Sequence, residues 1–213
     1  ILGGFQGVLG WYMVKSGLVD DPNVSQYRLT AHLGMAVFIY SLILWTVFDL
    51  SLSYNHAVRS RIKWMSSTLT LLIFLMILSG GLVAGTRAGI PFPTWPLMGD
   101  TFIPPQIYSM NPSWLSAFED MATIQFNHRM FAYLLTIFIV IFAIVLLRSN
   151  VPRFLKNGTT ALLFVLSLQV ALGISTLLFY IPIPVAAAHQ IGAIALLSVS
   201  LFITHSCLSR EQV

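Results

Sequence analysis

Charge is what this sequence has least of. Only 8% of its 213 residues are Asp, Glu, Lys or Arg, against about 25% in a soluble domain. Hydrophobic residues make up 57% and the mean hydropathy is +0.84, which excludes a soluble fold. There is one cysteine, Cys207, so an intrachain disulfide and a thiolate metal cluster are both excluded. No Asp or Glu lies mid-way along an apolar run. That removes the usual carboxylates of proton relays and leaves zinc without its common company. The opening ILGGFQGVLGWYMV has no initiator Met, no charged n-region and no cleavage site. It is not a signal peptide, and the expectation is a piece of a longer protein.

What remains is long apolar runs. A helix needs about 20 apolar residues to cross the hydrocarbon core. Six runs are predicted to span, at 1–17 (clipped at its start), 29–49, 66–87, 122–147, 158–180 and 184–206. The fold class is therefore an all-α integral membrane protein. Between the third and fourth runs lies GIPFPTWPLMGDTFIPPQIYSMNPSWLSAFED, with six prolines and three Trp or Tyr. Proline limits helix there, and aromatics suit either a cap over a site or a plain interfacial loop. One side of the membrane receives Arg59, Arg61, Lys63, Arg148, Arg153, Lys156 and Arg210. The other has Lys15, Arg28, Arg87 and Arg129 beside Asp20, Asp21, Asp100, Glu119 and Asp120. The positive-inside rule puts the first set in the cytoplasm or matrix and the long loop outside. The net charge of +4 is thus a topology signal and implies no nucleic-acid partner.

The second half echoes the first. FQGVLG (5–10) aligns with LQVALG (168–173), matching Gln6 to Gln169, Leu9 to Leu172 and Gly10 to Gly173. Ala31 and His32 fall on Ala188 and His189, Ala36 on Ala193, and Ser41 on Ser198. The second half also has a His128 helix before its Gln169 helix. The repeat predicts a matching histidine helix before Ile1, and another before that. The intact protein would have eight spans in two pseudo-symmetric four-helix bundles. Residues 1–50 would be the second half of the N-terminal bundle, 51–65 an inner connecting loop, 66–206 the C-terminal bundle with outer loop 88–121, and 207–213 an inner-side tail.

Of five histidines, His56 and His205 lie at the inner side and are given no role. His32, His128 and His189 each sit one or two turns inside a helix that runs from outside to inside, hence at similar depth. An ionisable group in a bilayer faces the protein interior or a ligand, although a single one is as readily hydrogen-bonded to a neighbouring helix. Two imidazoles from facing helices suit the axial positions of a haem iron. Gly81, Gly85 and Gly89 on one helix, and Gly3, Gly7 and Gly10 on another, would make room for a porphyrin or serve close helix packing. Arg129, beside His128, is a candidate partner for an anionic propionate. The repeat pairs His128 with His189 on one haem, and His32 with a histidine not in this chain on a second.

The stretches GGFQGVLGWYMVKSGL, RLTAHLGMA, SGGLVAGTRAGIPFPTWPLMGD, QFNHRMFAYLL, QVALGISTLL and AAAHQIGAIALL, in that order, resemble the haem A synthase family, in its alphaproteobacterial and mitochondrial branch. The resemblance covers all six runs. It implies an eight-helix enzyme lacking its first two helices here, and a chain inactive by itself. The implied reaction oxidises a methyl group of haem O to a formyl group, making haem A for cytochrome oxidase. By resemblance, His128 and His189 ligate a cofactor haem b, and His32 is one ligand at the substrate-haem site. The family carboxylate would lie on a missing helix, and Gln125 occupies the corresponding place in the second half. Haem O synthase is the implied supplier, the electron acceptor is unspecified, and a homo-oligomer is compatible. The location is the bacterial plasma membrane or mitochondrial inner membrane, with the histidines near the periplasmic or intermembrane-space face. Two other readings use the same residues: a bis-histidine di-haem electron carrier, and a haem-free transporter or assembly scaffold.

Overall fold

The computed structural model describes residues 1–15, 24–52 and 57–208. His56, Asp20, Asp21 and Arg210 therefore lie outside the described residues. Those residues form seven α-helices: α1 (Leu2–Lys15), α2 (Gln26–Ser51), α3 (Ser60–Thr86), α4 (Ser116–Glu119), α5 (Met121–Leu147), α6 (Arg153–Leu178) and α7 (Ile183–Leu208). Five of them, α2, α3, α5, α6 and α7, are long and apolar enough to cross a membrane. Large apolar side chains on their outer faces stay exposed, among them Leu71, Leu134, Ile137 and Phe164. In water such a surface would aggregate, but in lipid it is already solvated. The chain is an all-α integral membrane protein. The expected sixth span appears as α1, whose 14 residues rise about 21 Å, less than the hydrocarbon thickness of about 30 Å.

Local chemistry sets the helix ends. Asp120 caps α5 by accepting from the Thr123 amide at 2.8 Å and the Thr123 hydroxyl at 2.5 Å, satisfying a donor with no partner inside the helix. α3 stops where Arg87 turns left-handed at φ 55°. The α6–α7 connection reverses through Tyr180 and Ile181, both at positive φ, and Pro182 follows. The Ile181 amide folds back onto the Thr176 carbonyl at 2.8 Å.

Helices α3, α5, α6 and α7 pack in a ring, each against the next, so that α5 and α7 face each other across the diagonal. α2 packs outside this ring against α3 and α7, and α1 packs on α2. The sequence left two uses open for the α3 glycines, and packing is the one seen. A Cβ on Gly85 would lie 2.7 Å from the Gln26 Cα, and one on Gly81 3.0 Å from the Thr30 hydroxyl. Both glycines let α2 approach α3 and do not open a porphyrin slot. Gly89 meets Ile181 and Leu177, while Gly3 and Gly7 face open space.

The core is not spread evenly along the ring. Leu69, Ile73, Ile139, Phe142, Leu146, Leu155, Leu162, Leu197 and Ile203 are buried to within 1%. All lie in the half that ends at Arg148 and Arg153. Toward the other end, α6 has no fully buried residue beyond Leu166 and α7 none before Gly192. At that same end α5 is buried at Ala122, Thr123, Ile124, Gln125 and Arg129, and the loop at Ala88 and Met98, so the thinly covered faces there are those of α6 and α7.

Candidate functional site

His32, His128 and His189 lie toward that end of the bundle. They lie six, seven and six residues beyond the first residues of α2, α5 and α7, a rise of about 9–10.5 Å. All three keep some exposed surface. His128 and His189 come from the diagonal pair α5 and α7 and lie within electrostatic reach of one another.

Their ring nitrogens are unequally engaged. His189 Nδ1 lies 3.2 Å from the Gln169 carbonyl. A carbonyl only accepts, so Nδ1 carries the proton and Nε2 keeps its lone pair. His128 Nδ1 lies 3.0 Å from the Ser79 hydroxyl, and the matching tautomer has Nδ1–H donating to it. Among the described residues neither Nε2 has a hydrogen-bond partner. Tethering one nitrogen and presenting the other is how proteins orient metal-ligating histidines. His32 differs. The Gln6 amide nitrogen donates to the His32 carbonyl at 3.1 Å and lies 3.4 Å from Nε2, while buried Nδ1 has no partner.

Among the described residues no three His, Cys, Asp or Glu side chains gather to hold a bare metal ion. Two imidazoles on diagonal helices, each tethered at Nδ1 and without a hydrogen-bond partner at Nε2, suit a haem, which asks a protein only for one or two such ligands.

The long loop closes over this end. Arg129, the propionate candidate, is 6% exposed. Its Nη1 donates to the Leu97 carbonyl at 3.1 Å, and its Nη2 to the Phe92 and Thr94 carbonyls at 3.0 and 2.8 Å. Only Nε is left without a partner. Gln125 adds a bond to the Phe92 carbonyl at 3.0 Å. The Tyr108 amide donates to the Thr123 hydroxyl, and its own hydroxyl donates to Asn127, each at 3.0 Å. Of the two readings of the loop, the cap describes its place against α5. Glu119 joins the cap to α2, accepting from Gln26 at 2.8 Å and Tyr27 at 2.5 Å. Beside it, Leu9, Tyr12, Ser25, Tyr27, Arg28 and Ala31 line an open cavity of about 450 Å³. The Arg28 guanidinium stacks 3.9 Å over the Tyr12 ring there.

At the opposite end the sequence reading missed a contact. His205 was expected to be solvated or interfacial, but it is 3% exposed and lies 2.8 Å from Asp49 Oδ1. The Trp45 ring packs edge-on against it at 4.9 Å. The pair joins α2 to α7 across 156 residues of sequence, a separation no local pattern reveals. Between α3 and α7, Thr70 bonds the Ser200 and Thr204 hydroxyls at 2.7 and 2.8 Å.

Residues 1–201 match the family COX15-CtaA, described as cytochrome oxidase assembly protein. The chain is 46% identical over 210 residues to a protein of Nitrosospira multiformis named Heme A synthase, covering 96% of this chain and 59% of that one. It is 43% identical to Heme A synthase of Paracoccus denitrificans, over 96% of this chain and 55% of that one. It is 40% identical to Heme A synthase COX15 of Homo sapiens, over 93% and 51%. The chain thus spans between half and three-fifths of the length of these relatives. With a match that runs through every helix from α1 into α7, this chain belongs to the COX15-CtaA family of cytochrome oxidase assembly proteins.

Proposed function

We propose that this chain is the larger part of a haem A synthase, an oxidoreductase that converts a ring methyl group of haem O to a formyl group. The observation that carries the reading is the His128–His189 pair on diagonal helices, each tethered at Nδ1 with no hydrogen-bond partner at Nε2. The names of the relatives supply the reaction. In this reading α3, α5, α6 and α7 are a C-terminal four-helix unit, and α1 and α2 belong to a second, pseudo-symmetric one. His128 and His189 would hold haem b, and His32 would help hold the substrate haem.

A bis-imidazole haem supplies one-electron transfer with no open coordination position. The protein's own residues do the rest. The Gln169 carbonyl holds His189 in its Nδ1–H tautomer, and the Ser79 hydroxyl tethers His128 through Nδ1. Arg129 and Gln125 hold the cap on the histidine end, which limits water there. Arg129 Nε is the donor that remains for a propionate. At His32, the Gln6 amide lies 3.4 Å from the Nε2 that would help hold the substrate haem. Tyr12, Tyr27 and Arg28 line a cavity one turn from His32, suited to part of the substrate haem. The histidine end faces the periplasm or intermembrane space, because the basic residues gather at the other end. Haem O synthase is the natural supplier of substrate.

The test is haem extraction from the purified full-length protein, with chromatographic identification. Haem B together with haem O, haem A or a hydroxylated intermediate is expected. Two haem B per chain would turn the reading into a di-haem electron carrier. Well-folded protein without haem would overturn it.

A further inference from the structure

Two glycines occupy equivalent places beside two of the histidines. A Cβ on Gly173 would lie 2.9 Å from His189 Cε1, 3.4 Å from Nδ1 and 3.5 Å from Nε2. A Cβ on Gly10 would lie 3.0 Å from His32 Cε1, 3.6 Å from Nδ1 and 3.7 Å from Nε2. The same three ring atoms come in the same order at nearly the same distances. In both cases the glycine stands one turn beyond a glutamine, Gln6 before Gly10 and Gln169 before Gly173. That turn also makes the polar contact to the histidine, through the Gln169 carbonyl on His189 and the Gln6 amide on His32. His128 has no such seat. The nearest glycine to it is Gly80, whose Cβ would stand at an ordinary 3.6 Å from Cε1.

Helical glycine costs about 1 kcal/mol relative to alanine. Its presence at both places calls for a reason, and the imidazole supplies it. We propose that Gly10 and Gly173 are positioning residues, which seat the imidazoles of His32 and His189 edge-on against bare helix backbone and so set the orientation of the ring planes. A methyl group at Gly173 would force the ring to turn or lift, at the expense of the hydrogen bond that its Nδ1 makes to the Gln169 carbonyl on the same helix. Ring orientation at an axial ligand shapes the electronic state of the iron. The proposal rests on the reading of His189 as a haem ligand.

The experiment uses full-length protein in detergent, as wild type, Gly173→Ala, Gly80→Ala, His189→Ala and the double variant Gly173→Ala/His189→Ala. Two quantities are read: the low-spin ferric haem signal by electron paramagnetic resonance, and the apparent melting temperature. Gly173→Ala is expected to shift the low-spin g-values and to lower the melting temperature, and Gly80→Ala to do neither. In the His189→Ala background the ring is gone, so Gly173→Ala is expected to cost nothing or to stabilise. This arm decides even if Gly173→Ala alone loses its haem. Unchanged g-values in haem-retaining Gly173→Ala would overturn the proposal. So would an equal loss of melting temperature with and without the ring. Failure of the ligand reading looks different: His189→Ala itself would keep the wild-type haem signal.

Discussion

Replacing Arg129 by leucine removes the fork that holds the cap. The guanidinium makes three bonds to the Phe92, Thr94 and Leu97 carbonyls. A hydrogen bond to a charged group contributes about 1.5–3 kcal/mol net. Phe92 keeps its bond from Gln125 and Leu97 its bond from the Thr94 hydroxyl, so one carbonyl, that of Thr94, loses its partner. One such bond amounts to about 1.5–3 kcal/mol, which is a factor of about 10–150 in the opening equilibrium. Two amides report on it. Met98 donates to the Thr101 carbonyl at 2.8 Å and Gly99 to the Thr94 hydroxyl at 2.9 Å. Hydrogen exchange of the full-length protein in detergent should show both losing about one to two orders of magnitude of protection. Buried core amides such as that of Leu162 should be unchanged. Arg129→Lys keeps a charge but not the planar fork and should fall between. If Met98 and Gly99 lose less than tenfold while haem binding drops, Arg129 serves a propionate and not the loop.

Three further expectations concern other parts of the molecule. His128→Ala should abolish binding of the cofactor haem and all activity, read by the visible spectrum and by haem A formation; full activity would refute the ligand role. Gly85→Val should separate α2 from α3, because its Cβ meets the Gln26 backbone at 2.7 Å. Gly4→Ala, with nothing within 4 Å, should instead be neutral or stabilise by up to about 1 kcal/mol. Apparent melting temperatures distinguish the two. Asp49→Ala should cost about 1 kcal/mol through its contact with His205, and Asp49→Asn less, since an acceptor remains. Equal losses would mean that the carboxylate's charge matters more than its hydrogen bond.

Much of this protein was legible in its sequence because lipid imposes simple rules. Backbone groups in hydrocarbon must be satisfied within the segment, so long apolar runs had to be helices. The pattern of Gln, Gly and His was visible twice by alignment, and both copies proved to be real contacts between neighbouring helices. The similar depth of His32, His128 and His189 followed from counting residues from the helix starts. Composition and order thus determined the helices, their number to within the short α1, and the residues worth watching.

Tertiary structure decided what those residues touch. The sequence offered Gly81 and Gly85 as room for a porphyrin or as packing sites, and only the approach of α2 showed that they are packing sites. Arg129 stood beside His128 in sequence, but one helix position apart means a different face. Its guanidinium therefore runs to loop carbonyls more than thirty residues away in sequence. His205 seemed an end-of-span residue until α7 was set against α2, which brought Asp49 and Trp45 to it. Hydropathy and periodicity describe one helix at a time. Which faces meet depends on small-residue contacts and on single polar bonds between distant segments, and these exist only once the helices are assembled.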